Sequence, residues 1–475
     1  MNRLFATFFV ATAALVAGCG APQVDEAAAP VVEAPPAPGQ SAGYLSHCGE
    51  LRAEFDAALT SGDYVRPVLH VIAWPGQPAA KGGERVMIEE KHFSAGLRSE
   101  APRITLTMAR GGSGKSKLGW AIEAQTCDAL PVFRIDLVRD IASQLSGDID
   151  APNLLHTFIA KALDIATKGD PAPALVAALG DSRFLLVLDS LDEVAPQVRS
   201  QVVGLIEKAM APFPHVAAVV FTRPPVFSAN YGFASVEGRV EIPLLECART
   251  ADAIAHIIPD AEERRVFGTF VATHGLDRQV EVDGRCYLPH MSTFGDLQVL
   301  RTLAGNAAAG QPGAFQASRA DVHGFFLTAQ LLKDTMEVKI PPAAVMALVD
   351  RMVADIDPTT VGRRMGFTVG ACLAKLPGDD IEARKAGCAR IMQSALFAGE
   401  VSGDTWYFAN ATTADFFLAR WLESRLDNAE GETDCAAVAT HGALLEAGEV
   451  AGFVAGLPHG GACVRALATE LCKQG

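Results

Sequence analysis

The stretch "ARGGSGKSKLGWAIEAQ" (residues 109–125) decides the fold of this chain. Its closely spaced glycines are followed by Lys115, Ser116 and a helical pattern. Glycine allows the tight turns in which backbone N–H groups surround a phosphate, and the positive end of the following helix points at it. In such a loop the lysine binds the phosphates and the serine hydroxyl coordinates Mg²⁺. The residues predicted to form this phosphate cradle are Gly111, Gly112, Ser113, Gly114, Lys115 and Ser116.

The residues on either side of the loop have the order that a phosphate-binding loop requires. Before it, "RITLTM" (103–108) is a short apolar run with β-branched residues, which predicts a buried strand. After it, the pattern predicts a helix from Lys115 to about Gln125. The motif G-x-x-x-x-G-K-[ST] departs only at its first glycine, which is Ala109 here.

Further apolar runs of strand length alternate with helical patterns up to about residue 250. The predicted strands are 130–136, 183–190, 216–223 and 239–245, and the predicted helices lie around 150–165, 173–179 and 196–210. Strands separated by helices predict an α/β fold with a doubly wound parallel sheet. Together with the phosphate-binding motif in its strand-loop-helix context, this predicts a P-loop NTPase. Beyond residue 250 helical periodicity dominates, which predicts a mostly α-helical C-terminal region.

A second motif, "LLVLDSLDE" (185–193), also combines an apolar strand with polar residues at its carboxyl end. It places Asp189 at the carboxyl end of a buried strand, where ligands bind in open α/β sheets. A carboxylate there can hold Mg²⁺. Asp192 and Glu193 follow one short turn later, where they can orient or deprotonate an attacking water.

Together these residues resemble the NACHT family of signal-transducing, STAND-type P-loop ATPases. The family combines a P-loop with an apolar strand ending in D-x-x-D-E, matched by Asp189, Asp192 and Glu193. It also has a sensor strand ending in T-[ST]-R-P, which is similar to "FTRPP" (221–225) here. The resemblance implies that Thr222 and Arg223 sense the γ-phosphate.

The resemblance extends over roughly residues 65–425. "PVFRIDLVRDIA" (131–142) is similar to the family's second strand and the segment after it. "WYFANATTADFFLARWL" (406–422) is similar to the motif that closes the family's helical part, with Asn410 in place of its histidine. In "FGDLQVL" (294–300), Asp296 replaces the proline that packs near the adenine in the family.

The resemblance implies a molecular switch that binds ATP and Mg²⁺ and hydrolyses ATP slowly. The ADP form would be closed, and ATP would open it and expose a surface for homo-oligomerisation. An effector or sensor would be a separate protein partner, or the membrane anchor would itself be the output. The tetrapeptide "TKGD" (167–170) looks like a guanine-reading motif, but it precedes the strand ending in Asp189 and we interpret it as a loop, so ATP is favoured over GTP.

The sequence is also consistent with two other classes of function. The first is a degenerate P-loop protein that acts as a binding or structural module in the cell envelope. Its support is the departure from the family at Ala109, Asp296 and Asn410. The second is a metabolic kinase or transferase, which would need a charged lid between strands, and the sequence has no such segment.

The first residues predict export and lipidation. Arg3 precedes an uncharged run of 15 residues (4–18), which is too short to span a bilayer but suits a signal peptide. Val16-Ala17-Gly18-Cys19 resembles the lipobox of bacterial lipoproteins, which implies acylation of Cys19. The Ala- and Pro-rich residues 20–42 indicate an extended tether. We therefore expect a membrane lipoprotein facing the periplasm or cell exterior; the alternative is a cytoplasmic protein.

Charge and cysteine content bound the remaining classes. A net charge of −15 argues against direct nucleic-acid binding, since no basic stripe offsets it. No C-x-x-C pair occurs among the ten cysteines, so a zinc site has no support. If Cys19 is acylated, nine remain, an odd number for a disulfide framework. We expect Cys127 and Cys372 to be small core residues.

The sequence divides into five segments. They are a signal peptide (1–19), the tether (20–42), a NACHT-like nucleotide-binding domain (43–248), a helical and winged-helix-like regulatory region (249–425) and a helical extension (426–475).

Overall fold

The computed structural model describes two compact units, which adjoin in sequence after Leu244. The residues it describes are 42–75, 86–142, 145, 153–163, 171–194, 196–223, 232–282, 284–309, 318–334, 340–356, 358, 365–394, 396–399, 405–409, 411–426, 435, 441 and 449–463. Within these residues no helix combines the length and the apolar character needed to cross a membrane. Cys19, the "TKGD" segment and Asn410 lie outside them, as do most of residues 426–475.

The N-terminal unit is built on a seven-stranded sheet. Its strands are β1 (Val68–Ala73), β2 (Val86–Glu89), β3 (Ile104–Met108), β4 (Val132–Asp136), β5 (Phe184–Asp189), β6 (Val216–Thr222) and β7 (Gly238–Glu241). The strand order is β2-β1-β7-β3-β6-β5-β4. The five strands from β7 to β4 run parallel, and β1 runs antiparallel to both of its neighbours, β7 and β2. The strand β3, which precedes the phosphate-binding loop, is therefore central, and β6 separates it from β5.

All five strands predicted from the sequence are confirmed. Every residue of β3, β5 and β6 is buried, which explains their uninterrupted apolar character. The fifth predicted strand (239–245) is wrong at its end, because β7 stops at Glu241. Pro243 lacks the N–H that a continuing strand would donate. The antiparallel pair β1 and β2 was not predicted.

Helices cover both faces of this sheet. They are α1 (Ala42–Ser61), α2 (Glu90–Glu100), α3 (Lys115–Thr126), α4 (Leu154–Ala162), α5 (Pro171–Leu179) and α6 (Pro196–Met210). The helix α3 packs closely on the sheet at Gly119, where a Cβ would lie 3.2 Å from side-chain atoms of both Phe221 and Val187. The predicted helix after the loop is thus confirmed and extends one residue further, to Thr126.

The helix α1 begins at the end of the predicted tether and belongs to the folded unit. The hydroxyl of Tyr44 accepts a hydrogen bond from the backbone N–H of Val132 (2.7 Å), at the outer edge of β4. Phe55 of α1 packs edge-on against Trp120 of α3, with ring centroids 5.5 Å apart. These contacts fasten α1 to the helix that follows the phosphate-binding loop.

The C-terminal unit is mostly helical, as predicted. Its elements are α7 (Cys247–Ile257), α8 (Ala261–Thr273), β8 (Val280–Val282), β9 (Arg285–Tyr287), α9 (Phe294–Ala308), α10 (Arg319–Asp334), α11 (Pro342–Asp355), β10 (Phe367–Thr368), α12 (Val369–Lys375), α13 (Ile381–Met392), β11 (Phe397–Gly399), β12 (Thr405–Phe408), α14 (Ala411–Glu423) and α15 (Val450–Gly456).

The segment from α11 to β12 has the order typical of a winged helix. A helix, a short strand and two helices precede a hairpin, and the second hairpin strand β12 pairs with β10. Phe367, Phe397 and Phe408 pack together beneath this small sheet.

At the start of α9, Asp296 and Thr293 form a reciprocal capping box, and Arg319 pairs with the Asp296 carboxylate at 3.3 Å. Asp296 therefore has a structural role at this helix terminus.

Eight cysteines form four disulfides, which corrects the interpretation of two of them. The pairs are Cys48–Cys127, Cys247–Cys286, Cys372–Cys388 and Cys435–Cys463, with Cα–Cα distances of 5.3–5.8 Å. Cys127 and Cys372 are buried, as expected, but each is bonded to a second cysteine rather than simply filling the core. The odd count did not exclude a disulfide framework, because eight of the nine cysteines other than Cys19 form these four pairs.

Candidate functional site

The loop after β3 has the backbone of a phosphate cradle. The N–H of Ala109 donates to the carbonyl of Thr222 (3.0 Å), which holds the start of the loop to the end of β6. Gly112 and Gly114 have φ values of 74° and 89°, in the left-handed region that favours glycine. Gly114 is the residue before α3, so the first N–H groups of that helix have no partner within the helix and point back toward the loop. Ala109, in place of the motif's first glycine, is buried without disturbing this bond.

Lys115 is folded back over the loop. Its Nζ donates to the carbonyls of Ala109 (3.3 Å) and Arg110 (3.5 Å). Burial lowers the pKa of Lys115, an effect that the nearby carboxylate of Asp192 opposes. The ammonium group is thus held above the turn, where a phosphate chain would replace the two carbonyls as its partner.

Asp189 lies beside Ser116, as the sequence predicts for a metal site. The Ser116 hydroxyl and the backbone N–H of Ser190 (2.8 Å) both donate to the Asp189 carboxylate. Burial nevertheless raises the pKa of Asp189, and the negative charge of Asp136 adds to this. Asp136 ends β4 directly opposite Asp189 in the register of the two strands.

Asp136 was missed in the sequence, although its position at a strand end was the available signal. Its carboxylate accepts hydrogen bonds from the N–H groups of Val138 and Arg139, each at 3.0 Å. It therefore caps the π-helical turn Leu137–Ile141 beside the site and also adds negative charge next to Asp189.

The two further predicted acids lie on a tight turn after β5. Ser190 has a φ of 67°, and it is the sole non-glycine residue with positive φ in the described part of the chain. It leads into the 3₁₀ turn Leu191–Glu193, closed by a bond from the N–H of Glu193 to the carbonyl of Ser190 (3.0 Å). Because a left-handed serine is unfavourable, the position of Asp192 and Glu193 depends on contacts made elsewhere.

Asp192 forms a buried ion pair with Arg223. The Nε of Arg223 lies 3.0 Å from Oδ2 of Asp192, and the two side chains are 6% and 7% exposed. Arg223 directly follows β6, the strand between β3 and β5. The structure thus brings the predicted sensor arginine to the predicted catalytic acid.

Arg199 is the second residue that sequence reasoning missed at this site. It lies on α6, and its Nη2 donates to the carbonyls of Asp192 (3.2 Å) and Val194 (2.9 Å). No sequence signal marks it, because its partners are backbone atoms that any residue carries.

Two hydroxyls in the site fit a bound polyphosphate. Thr222 Oγ1 and Ser113 Oγ are buried, and neither has a hydrogen-bond partner within the described residues. A buried hydroxyl without a partner costs about 1–3 kcal/mol. Both belong to segments predicted to contact phosphate, so a ligand oxygen at this edge would satisfy them.

The donor set also fits Mg²⁺. The described residues contain no group of three or more His, Cys, Asp or Glu side chains that could hold a metal ion by themselves. Mg²⁺ in nucleotide sites usually takes one or two protein oxygens, together with phosphates and waters. Ser116 and Asp189 supply such a pair.

Comparisons with known proteins identify no family for this chain. No family model matches this sequence, and no curated protein matches it. Among solved structures, the chain is similar to the ORC1 protein of Aeropyrum pernix in complex with DNA, at 15% sequence identity and a TM-score of 0.33. That similarity covers 70% of this chain and 91% of the ORC1 chain.

The class of protein follows from the sheet and the site. The central strand β3 leads into a glycine-rich loop and a helix, and the predicted acids and Arg223 lie at the same carboxyl edge of the parallel sheet. This is the fold of a P-loop NTPase, and the residues predicted for its site lie together at that edge.

Proposed function

We propose that this chain is an ATP-binding, slowly hydrolysing molecular switch of the NACHT and STAND type, anchored to a membrane by lipid. The observation that carries the proposal is the convergence of Lys115, Ser116, Asp189, Asp192 and Arg223 at one edge of the sheet. The helical unit with its winged-helix order supports the NACHT-like part of the proposal.

Each site residue has a role in this proposal. Lys115 binds the β- and γ-phosphates, together with the N–H groups of the loop from Gly111 to Gly114. Ser116 and Asp189 hold Mg²⁺, which neutralises charge on the phosphates when it is bound. Glu193 and Asp192 orient the attacking water and accept its proton. Thr222 and Arg223 contact the γ-phosphate.

The ion pair between Asp192 and Arg223 suits a switch with slow turnover. While Arg223 is paired with Asp192, that carboxylate is a weak base, and the guanidinium is bound to the carboxylate rather than to a phosphate. A γ-phosphate competes for the guanidinium, since it offers more negative charge than one carboxylate. ADP lacks this group, so the pair would persist in the ADP form.

The four disulfides support the exported location. Disulfides persist in secreted and periplasmic proteins and are rare in the cytosol. Both units are cross-linked in this way. We therefore propose export, acylation at Cys19 and exposure to the periplasm or cell exterior. There the P-loop would bind scarce or extracellular nucleotide or another polyphosphate.

Calorimetry with ATP and Mg²⁺ tests the nucleotide site. Lys115→Ala should abolish measurable binding and leave the circular dichroism spectrum unchanged. Lys117→Ala, an exposed lysine two residues along the same helix, is the matched control and should bind like the parent. Equal binding by Lys115→Ala and the parent would place the cradle elsewhere. Binding without any turnover would favour the alternative, an envelope-anchored binding module.

Labelling cells with a radioactive fatty acid tests the anchor. The parent should carry the label, and Cys19→Ser should lose it and keep its signal peptide. An unlabelled parent found in the soluble cytoplasm would contradict export and place the switch beside cytoplasmic ATP.

A further inference from the structure

We propose that Arg199 is a positioning residue that holds the acidic turn in place for ATP hydrolysis through backbone atoms of that turn. This inference rests on the proposed ATPase function. The guanidinium of Arg199 reaches from α6 and bonds to the carbonyls of Asp192 and Val194 (3.2 and 2.9 Å). One nitrogen, Nη2, thereby bonds both the middle of the turn and the residue after it.

The turn needs such support because its own conformation is unfavourable. It begins at Ser190, whose φ of 67° is one that residues with a Cβ rarely adopt. It contains one short 3₁₀ segment with two backbone bonds, from Glu193 N–H to the Ser190 carbonyl and from Val194 N–H to the Leu191 carbonyl. A three-residue turn with a strained first residue does not keep two acids in position by itself.

Two arginines divide the task of holding Asp192. Arg223 holds its carboxylate, and Arg199 holds its backbone carbonyl. When a γ-phosphate draws Arg223 away, the side-chain contact is lost and the backbone contact remains. Arg199 therefore keeps Asp192 and Glu193 aimed at the phosphate in the state in which hydrolysis takes place.

Steady-state kinetics separate this role from a general structural one. Arg199→Ala should lower kcat about tenfold or more and change the Kd for ATP by less than about threefold, since the turn does not bind the ground state. Arg199→Lys should restore part of kcat, because an ammonium is also a single nitrogen with several N–H donors, although on a shorter side chain. In a Glu193→Gln background, Arg199→Ala should cause little further loss, because the acid that it positions is already gone.

Lys208→Ala is the matched control, an exposed residue near the other end of α6, and it should behave like the parent. An equal loss of kcat in the parent and Glu193→Gln backgrounds would overturn the proposal, as would a large rise in Kd. Hydrogen exchange of peptides covering residues 190–194 should be faster in Arg199→Ala than in the parent, and it should be unchanged in Lys208→Ala. Unchanged exchange in Arg199→Ala would also overturn the proposal. If the parent protein does not hydrolyse ATP, the proposed function fails, and the exchange measurement alone decides whether Arg199 holds the turn.

Discussion

The guanidinium of Arg223 and the carboxylate of Asp192 form an ion pair at 3.0 Å, with less than a tenth of either side chain exposed. The two residues are 31 positions apart and lie after different strands, β6 and β5. Two opposite charges in a buried site stabilise each other only while both are present. This pair therefore links the stability of the N-terminal unit to the state of its nucleotide site.

Removing one partner of this pair should destabilise the protein strongly. Arg223→Met removes the guanidinium that pairs with the buried Asp192 carboxylate, and we expect the free energy of unfolding to fall by about 3–5 kcal/mol. Arg223→Met with Asp192→Leu should lose less, because neither member of the ion pair then stays buried without the other. Urea unfolding of the two variants measures the difference. A double variant as unstable as the single one would mean that the loss comes from packing.

Glu193→Gln should trap ATP in the site. The amide cannot accept a proton from water, so turnover should fall by about 10²–10⁴-fold while binding persists. The trapped protein should elute as an assembled form on size-exclusion chromatography in ATP and as the smaller form in ADP. Glu54→Gln, an exposed change on α1, is the control. Unchanged turnover in both Glu193→Gln and Asp192→Asn would remove the assignment of these acids as catalytic.

Asp189→Asn should stabilise the nucleotide-free protein at neutral pH. Burial raises the pKa of Asp189 above its ordinary value of 3.8, so ionising this group costs more in the folded state than in the unfolded state. The stabilising contribution of the protonated group is complete below pH 3.8 and is lost as the pH rises through the raised pKa. The gain from asparagine should therefore appear at about pH 7 and vanish near pH 3. Thermal melts at the two pH values measure it.

The same Asp189→Asn variant should lose Mg²⁺-dependent binding of ATP, because the amide has no charge for the ion. Greater stability together with weaker binding would show that the fold tolerates this buried acid for its function. A variant that is less stable than the parent at neutral pH would mean that the ionised carboxylate stabilises the fold.

The Cys48–Cys127 disulfide should stabilise the N-terminal unit. It joins α1 to the residue after α3 and closes a loop with a sequence separation of 79. Loop-closure entropy predicts a loss of about 4.5 kcal/mol for Cys48→Ala with Cys127→Ala. Chemical unfolding of parent and variant under oxidising conditions measures it. Full stability of the double variant, or free thiols at these positions in the parent, would weaken the case for an oxidising compartment.

Much of the fold could be predicted because its signals are local. The apolar runs of β3, β5 and β6 are buried on both faces, so each run stands out without knowledge of its neighbours. The strands β1 and β2 were missed because they lie at an open end of the sheet. Val86 and Met87 of β2 are 39% and 41% exposed, so that strand lacks the continuous burial that marks the others.

The sequence by itself determined the phosphate-binding loop, the acids at and after the end of β5, and the threonine and arginine at the end of β6. Each depends on residue types at short, regular spacing. Their meeting at one edge follows, because parallel strands with helical crossovers all end on the same side of the sheet.

Only the tertiary structure decided which cysteines pair, that Arg223 binds Asp192, and that Arg199 holds the backbone of the acidic turn. These contacts join residues on different elements, and Arg199 meets carbonyl groups that every residue possesses. They depend on the order of the strands and the packing of helices on the sheet, which no local spacing of residues encodes.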